Sequence, residues 1–308
     1  MKSNVIFIAH PVTGPTYPPS AKLMGSDISE AVSQYRPSAF KHLNQSDMLE
    51  IKDSVIVILG MLTKSDGNNM SLEFLKNLKQ NGNIIINNAI DDYCYVTDQQ
   101  LGLELQAFDV IDSVIFTNSF TAKYFATATD VSNVVIPHHY DKMLNYIDMP
   151  KIKDFKVLYG GNLSAYRDQI DAITKKLNDP DWIHSSKSVA FIHEDLMKYP
   201  CHISYREPRL RNFYFKPGTK LASAAGSDSV IIMSRDESHV DLVSSDYPFF
   251  VDSIDDIYEK YEQLKSWYGT SKWSEAVDLL KDVKLKTDIN TICKTYIKHI
   301  EELENGNF

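Results

Sequence analysis

The chain has 308 residues, 43% of them hydrophobic and 24% charged, a globular composition with enough length for two domains. Its 32 Lys and Arg against 41 Asp and Glu give a net charge of −9, which argues against general nucleic-acid binding, where a basic face is needed. Cys94, Cys201 and Cys293 are odd in number and far apart, so neither a disulfide framework nor a metal-type pair is expected, and a reducing, cytoplasmic compartment is the simple reading.

In chain order, short β-branched runs at 5–9, 54–59, 83–87, 113–117 and 134–137 predict strands. Helical patterns near 18–35, 69–80, 98–109 and 119–127 lie between them. Continuous apolar strands interleaved with helices predict a parallel sheet covered on both faces, an α/β domain over 1–148. Residues 146–155 are polar, contain a proline and read as a linker. A second α/β pattern follows over 149–270. Its strands are predicted at 156–159, 188–192, 201–205, 230–234 and 249–251, and its helices near 165–177, 217–226, 236–243 and 254–267. From 271 the chain is predicted helical. Ile289, Ile292, Tyr296, Ile297, Ile300 and Leu303 recur at steps of three and four and form one apolar face. That face needs something to cover it, so residues 271–308 are expected to return to the N-terminal domain. Only the short run at 5–9 follows Met1 and Lys2, so no signal peptide is expected. No apolar stretch approaches the ~18 residues of a spanning helix, which leaves peripheral membrane contact open.

The stretch from Phe215 to Gly226 reads as a helix start and a helix of small residues. Pro217 suits the first helical position, where its missing N–H is no loss. Gly226 suits the left-handed residue at a helix end. Lys216 and Lys220 then fall in the first turn, where they oppose the helix dipole. A bound phosphate accounts for them, because helix N-termini present unpaired N–H groups to anions. Arg206, Arg209, Arg211, Lys216 and Lys220 stand against Glu207 alone, a basic patch in an acidic chain. A solvated basic loop is the plainer alternative. The order Gly-Thr-Lys is not that of a Walker A loop, which needs Gly-Lys-Ser/Thr.

Ligands of open α/β sheets bind beyond the carboxyl ends of the strands, which singles out the residues that follow them. His10 and Gly14 follow the first strand. His10 can serve as a base or hydrogen-bond a ligand, and Gly14 lets the backbone approach one closely; an incidental turn is the alternative. Asp91 and Asp92 follow the third. Neighbours on an extended chain point opposite ways, so the two are not expected on one metal, and Asp92 is the favoured base; a cap or surface role is the alternative. His138 and His139 follow the fifth, with no further ligand at metal spacing. No metal is predicted, and His138 is read as touching a ligand at the domain junction. Gly160, Gly161 and Asn162 follow the first strand of the second domain, where open N–H groups suit an anion. Paired with Lys216, Thr219 and Lys220, they suit a diphosphate held from two sides. The chain has no nucleophile elbow, Gly-x-Gly-x-x-Gly or zinc-protease helix.

The run Tyr159-Gly-Gly-Asn162, the run Lys216-Pro-Gly-Thr-Lys-Leu221 followed by a strand, Ser234-Arg-Asp236 and Tyr247-Pro-Phe-Phe-Val251 together resemble glycosyltransferases of the GT-B architecture. The likeness is strongest to retaining, family-four-like bacterial enzymes and covers nearly the whole chain. It implies an α/β fold of two Rossmann-like parallel-sheet domains facing a cleft, with the C-terminal helix packed back onto the first. It also implies transfer of a hexosyl or related sugar from a nucleotide-diphosphate sugar to a carbohydrate, lipid-linked or protein acceptor, with no metal and no cofactor. Gly14, Gly161, Asn162, Arg206, Glu207, Lys216, Thr219 and Lys220 would then bind the donor. Asp92, His10 and His138 would be the catalytic groups facing the acceptor. The glutamate pair usual in that group's donor site is absent, and Glu207 stands alone. Two other readings follow: a sugar-nucleotide epimerase on the same architecture, and a catalytically silent nucleotide-sugar-binding or assembly protein.

Overall fold

The computed structural model describes residues 3–9, 21–62, 70–90, 97–160, 167–177, 183–185, 193–208 and 211–306. The chain divides into two compact units. One is Met1–His138 with Phe215–Pro217 and Ile289–Phe308; the other is His139–Tyr214 with Gly218–Asp288.

The first unit is built on six parallel strands, β1 (Asn4–Ala9), β2 (Ser38–His42), β3 (Ser54–Leu59), β4 (Ile84–Asn88), β5 (Ser113–Phe116) and β6 (Ser132–Val135), in the order β2-β1-β3-β4-β5-β6. β1 and β3 pair in register, Val5 beside Val55 and Phe7 beside Val57. After Asn4 and Ser54 both are apolar to their ends because both faces are covered. Successive side chains point to opposite faces, so Val5 and Phe7 pack on one side and Ile6 and Ile8 on the other. β2 escapes the sequence pattern. Ser-Ala-Phe-Lys-His has no apolar run, because an edge strand with one neighbour stays half exposed.

The helices of this unit are α1 (Ile28–Val32, entered through a π-helical turn at Lys22–Asp27), α2 (Gln45–Met48), α3 (Leu72–Gln80), α4 (Asp98–Phe108) and α5 (Ser119–Ala126). Ser71 caps α3 by accepting from Phe74 N at 3.0 Å. Thr97 and Gln100 form a reciprocal capping box on α4.

The second unit has five parallel strands, β7 (Val157–Gly160), β8 (Ile183–Ser185), β9 (Cys201–Ser204), β10 (Val230–Ser234) and β11 (Phe250–Val251), in the order β11-β10-β9-β7-β8. The strand expected at 188–192 lies outside the described residues; the strand beside β7 is β8. Around the sheet run α6 (Arg167–Leu177), α7 (His193–Lys198), α8 (Arg211–Phe215), α9 (Thr219–Gly226), α10 (Glu237–Val243), α11 (Ile254–Trp267), α12 (Ser271–Asp278) and α13 (Lys281–Lys286).

The chain passes back to the first unit later than the sequence suggested. α12, α13 and the turn between them bury Ala276, Val283 and Leu280 in the core of the second unit, and Trp273 joins a ring cluster with Phe155 and Tyr268. Only the last helix, α14 (Ile289–Glu304), lies in the first unit. Its apolar face of Ile289, Ile292, Tyr296, Ile297, Ile300 and Leu303 packs with Phe7, Val32 and Val57, as expected. Each such side chain contributes about 1.5–3 kcal/mol when fully buried. Two polar contacts fix its rotation. Arg36 grips Glu304 through two bonds of 2.6 and 3.0 Å, and Asn88 donates to the Tyr296 hydroxyl at 2.6 Å.

The small-residue helix also departs from expectation at both ends. α9 begins at Thr219 with Gly218 as its N-cap, so Pro217 and Lys216 precede the helix. Gly226 is the last helical residue and has no left-handed torsion; that conformation falls on Asp228, at φ 53°. Gly226 is small for another reason. A Cβ there would lie 2.5 Å from Cγ of Tyr140, so the helix meets that ring through its bare backbone.

Candidate functional site

In both sheets the strand order reverses at one point. The chain steps from β1 to β2 on one side and to β3 on the other, and likewise from β7 to β8 and to β9. Such switch points open a crevice at the carboxyl ends of the strands, where ligands bind. In the second unit that edge carries Tyr159 and Gly160 at the end of β7, Arg206 just after β9, Ser234 at the end of β10 and Asp236 just after it.

α9 points its N-terminus at this edge. Gly218 has φ −78° and ψ 31° and supplies no side-chain cap. A Cβ on Gly218 would lie 2.8 Å from Leu242 Cδ1 and 3.2 Å from the Ser238 carbonyl oxygen, so glycine lets the start of α9 abut α10. Ser238 in turn accepts from Arg206 Nη1 at 3.2 Å. Gly218 and Arg206, twelve positions apart in sequence, therefore meet at one serine. Thr219 and Lys220 are half-buried in the first turn. Lys220 Nζ stands 3.8 Å from the centroid of the Tyr159 ring, directly before Gly160.

Arg206 is more deeply engaged than its sequence context suggested. Its guanidinium meets Asp236 Oδ2 at 3.0 Å, with the Arg206 side chain 9% exposed and Asp236 fully buried. Asp236 also caps α10, accepting from His239 N at 3.1 Å and from the Ser238 hydroxyl at 2.9 Å. Burial pushes the Asp236 carboxyl up, but Arg206, His239 and Ser238 outweigh it and hold the group at about 2, well below its ordinary value. Arg206 thus builds the floor of the edge together with Asp236. Nothing in the sequence signals this pair, because it forms through the adjacency of β9 and β10 across thirty residues.

Lys216 and Glu207 are half-buried, and Lys216 belongs with Phe215 and Pro217 to the first unit. His10, Gly14, Asp92, Gly161 and Asn162 lie outside the described residues. His138, the last residue of the first unit's long segment, is 4% exposed. Its neighbour His139 falls in the second unit with Nδ1 2.6 Å from the Tyr140 carbonyl oxygen, so the His-His pair is divided between units. Among the described residues no group of three or more His, Cys, Asp or Glu is placed to hold a metal ion.

The corresponding edge of the first unit holds polar groups that sequence reasoning passed over. Asn87, fully buried, donates to the Gly60 carbonyl at 2.6 Å, and the buried Glu104 carboxylate accepts from Leu62 N at 2.9 Å. Together they fix the turn after β3, where Gly60 takes φ 85°. In the second unit, His193 and Asp141 pair at 2.8 Å across fifty-two positions, again with no local signal. Among the described residues no helix is long and apolar enough to cross a membrane.

No family model matches the chain, and no curated protein matches it either. Solved structures do. A glycosyltransferase from Rickettsia africae ESF-5 superposes with a TM-score of 0.66 at 8% identity, covering 98% of this chain and 99% of that one. AviGT4, a glycosyltransferase of avilamycin A biosynthesis, gives 0.62 at 10% identity, covering 99% and 98%. T4 phage BGT in complex with its UDP-glucose substrate gives 0.57 at 12% identity, covering 97% and 99%. The chain spans 60% of the matched chain of the GtfA/B complex. At such identities the likeness carries the fold, which is GT-B: two Rossmann-like parallel sheets, with the last helix returned to the first.

Proposed function

We propose that the protein is a glycosyltransferase that takes a sugar from a nucleotide-diphosphate sugar bound at the carboxyl edge of the second sheet. The observation that carries this is α9: an N-terminus without a side-chain cap, aimed at the switch-point edge, with Lys220 in its first turn. The GT-B fold of the glycosyltransferases it superposes on supports the same reading. UDP-glucose is the substrate of the T4 phage protein, which makes uridine nucleotides the first donors to try.

In the proposed reaction the bond from the sugar C1 to the diphosphate breaks and its electron pair leaves on the phosphate oxygen. The acceptor hydroxyl forms the new bond at C1 and gives up its proton. Negative charge grows on the leaving group, and fixed donors aimed there lower the barrier. Lys216, Thr219, Lys220 and the backbone of Gly161 and Asn162 serve as those donors, without a metal or cofactor. Arg206, held by Asp236, shapes the site's floor beside Glu207. Gly14 belongs with the donor contacts, and His10, Asp92 and His138 belong to the acceptor side, where a base can receive the proton. Retention at C1 and hexosyl transfer are part of the proposal through the likeness to retaining enzymes. Buried free thiols at Cys201 and Cys293 support a cytoplasmic setting.

Calorimetric titration of UDP-, GDP- and ADP-sugars, followed by assays of nucleotide release with carbohydrate, lipid-linked and protein acceptors, tests this. Saturable binding with acceptor-dependent release is the expected result. Binding without release on any acceptor favours a silent nucleotide-sugar-binding protein, and interconversion of the sugar without transfer favours an epimerase.

A further inference from the structure

β9 ends at Ser204, which is 1% exposed and whose hydroxyl has no hydrogen-bond partner among the described residues. The other serines of this edge are engaged. Ser234 Oγ accepts from Arg206 N at 3.1 Å and donates to Asp236 Oδ2 at 3.2 Å, and Ser238 Oγ meets both Arg206 and Asp236. A buried hydroxyl without a partner costs free energy, and a ligand or a water is what ordinarily satisfies it. The sheet fixes the side on which it emerges. His202, two residues earlier, shares its face. His202 Nε2 lies 3.2 Å from the Leu196 carbonyl oxygen of α7, and Leu158, its register partner on β7, packs with Ala222 of α9. Ser204 therefore emerges on the face that α9 covers. α9 runs against the strands and ends at the start of β10, where Ser229 N donates to the Ala224 carbonyl and Val230 N to the Pro200 carbonyl. Its eight residues rise about 12 Å and the four residues of β9 about 13 Å, so the first turn of α9 comes level with Ser204. Lys220 of that turn reaches Tyr159, one residue beyond Leu158 on β7.

We propose that the Ser204 hydroxyl is a further binding group for the diphosphate at the N-terminus of α9, where a phosphate oxygen becomes its acceptor. This assignment rests on the donor-site reading, and every residue in it belongs to the second unit. An anion is the chemistry that fits. α9 has no acidic residue in its first turn and no side-chain cap, and Lys220 adds positive charge there. A hydroxyl donating to an ionised oxygen makes a stronger bond than one between neutral groups. A group kept for binding at a cost to the free fold has a signature: its removal spares stability and weakens the ligand.

The test is calorimetric titration of inorganic pyrophosphate, UDP, GDP and ADP into the full chain and its variants, with a thermal melt for each. Ser204→Ala is expected to weaken pyrophosphate and whichever nucleotide binds by the same factor, about tenfold, as for loss of a hydrogen bond to a charged group. Its melting temperature is expected to hold or rise, because the variant removes a buried hydroxyl that the free fold leaves unbonded. Lys220→Ala, expected to weaken the same ligands, reports on the site independently. Affinity lost with stability held is a pattern that a merely structural serine does not produce. A fall in the Ser204→Ala melting temperature, with or without a change in affinity, shows the hydroxyl bonded inside the fold and overturns the proposal. Unchanged affinity overturns it too, as does a loss confined to the nucleotides, which moves Ser204 away from the phosphates. The donor-site reading survives each of these results if Lys220→Ala is weakened. If neither pyrophosphate nor any nucleoside diphosphate binds the wild type, the donor-site reading falls and the Ser204 assignment with it.

Discussion

The Lys220 ammonium lies 3.8 Å from the centroid of the Tyr159 ring, joining the first turn of α9 to the end of β7. A cation in a first turn opposes the helix dipole by about 0.3–1 kcal/mol, and a cation–π contact of about 0.5–2 kcal/mol can offset this. Tyr159 therefore gives Lys220 a structural reason to exist, which competes with phosphate binding. The two separate in one variant. Lys220→Ala is expected to change the denaturant midpoint little while weakening UDP binding about tenfold, or about 1.4 kcal/mol. Reduced stability with unchanged UDP affinity would show that Tyr159 is the whole explanation.

Arg206 and Asp236 make a second prediction. Removing one member of a buried ion pair leaves the other charge uncompensated, at a cost of about 3–5 kcal/mol. Asp236→Asn is therefore expected to be strongly destabilised in urea unfolding at neutral pH, more than any exposed carboxylate variant. The pH dependence has a definite sign. Asp236 is held at about 2 in the folded chain against an ordinary 3.8. Its contribution is full above the ordinary value and is lost as pH falls from there through the folded one. Wild type should lose stability steeply between pH 4 and pH 2, and Asp236→Asn should lose less over the same window. Parallel curves would rule out the assigned role.

How much of this was legible in the sequence follows from where each residue sits. β1, β3 and β10 could be read because central parallel strands are covered on both faces and carry near-continuous apolar runs, here 5–9, 55–59 and 230–233. β2 could not, since an edge strand has no such requirement. The 215–226 segment announces a helix, but the helix starts at Thr219, two residues later than Pro217 predicts. Gly218 takes the cap because it packs against Ser238 and Leu242, and Phe215 holds the preceding residues in the first unit, so Lys216 falls outside the first turn. Gly226 looked like a helix terminator and is a packing residue against Tyr140. Asp236 beside Arg206, and Glu104 beneath Leu62, depend on which strands and helices become neighbours, which no local pattern encodes.

Lys151 carries a third prediction. Its ammonium is buried against the Ser227 and Tyr199 carbonyls and the Ser229 hydroxyl, at 2.7, 3.3 and 2.7 Å. Burial pushes it down to about 8, with Asp228 opposing and Lys284 adding to the shift. Between that value and the ordinary 10.5 the unfolded chain binds the extra proton, so the Lys151 contribution to stability rises with pH across the window. Lys151→Met is expected to destabilise by about 1–3 kcal/mol at pH 7, because buried carbonyls lose their donor. The gap between wild type and variant should then widen from pH 8 to pH 10. A constant gap would mean that Lys151 keeps its ordinary proton affinity in the folded chain.

The same substitution should have opposite signs in two helices. Gly226 closes α9, and a Cβ there would meet the Tyr140 ring at 2.5 and 2.7 Å, far inside contact distance. Tyr140 cannot easily yield, because its hydroxyl donates to Asn145 and Asp288, each at 3.1 Å, and its backbone N–H to Thr287 at 3.2 Å. Gly226→Ala therefore forces the helix or the ring to shift, and overpacking of this kind costs about 1–3 kcal/mol. Gly102 lies inside α4, where an added Cβ meets nothing within 4 Å. Alanine there removes backbone freedom from the unfolded chain and suits the helix, a gain of about 0.5–1 kcal/mol. Urea midpoints measured side by side should move down for Gly226→Ala and up for Gly102→Ala. If both moved up, the close approach of α9 to Tyr140 would not exist in solution; if both moved down, Gly102 would have a neighbour that the open face of α4 does not show.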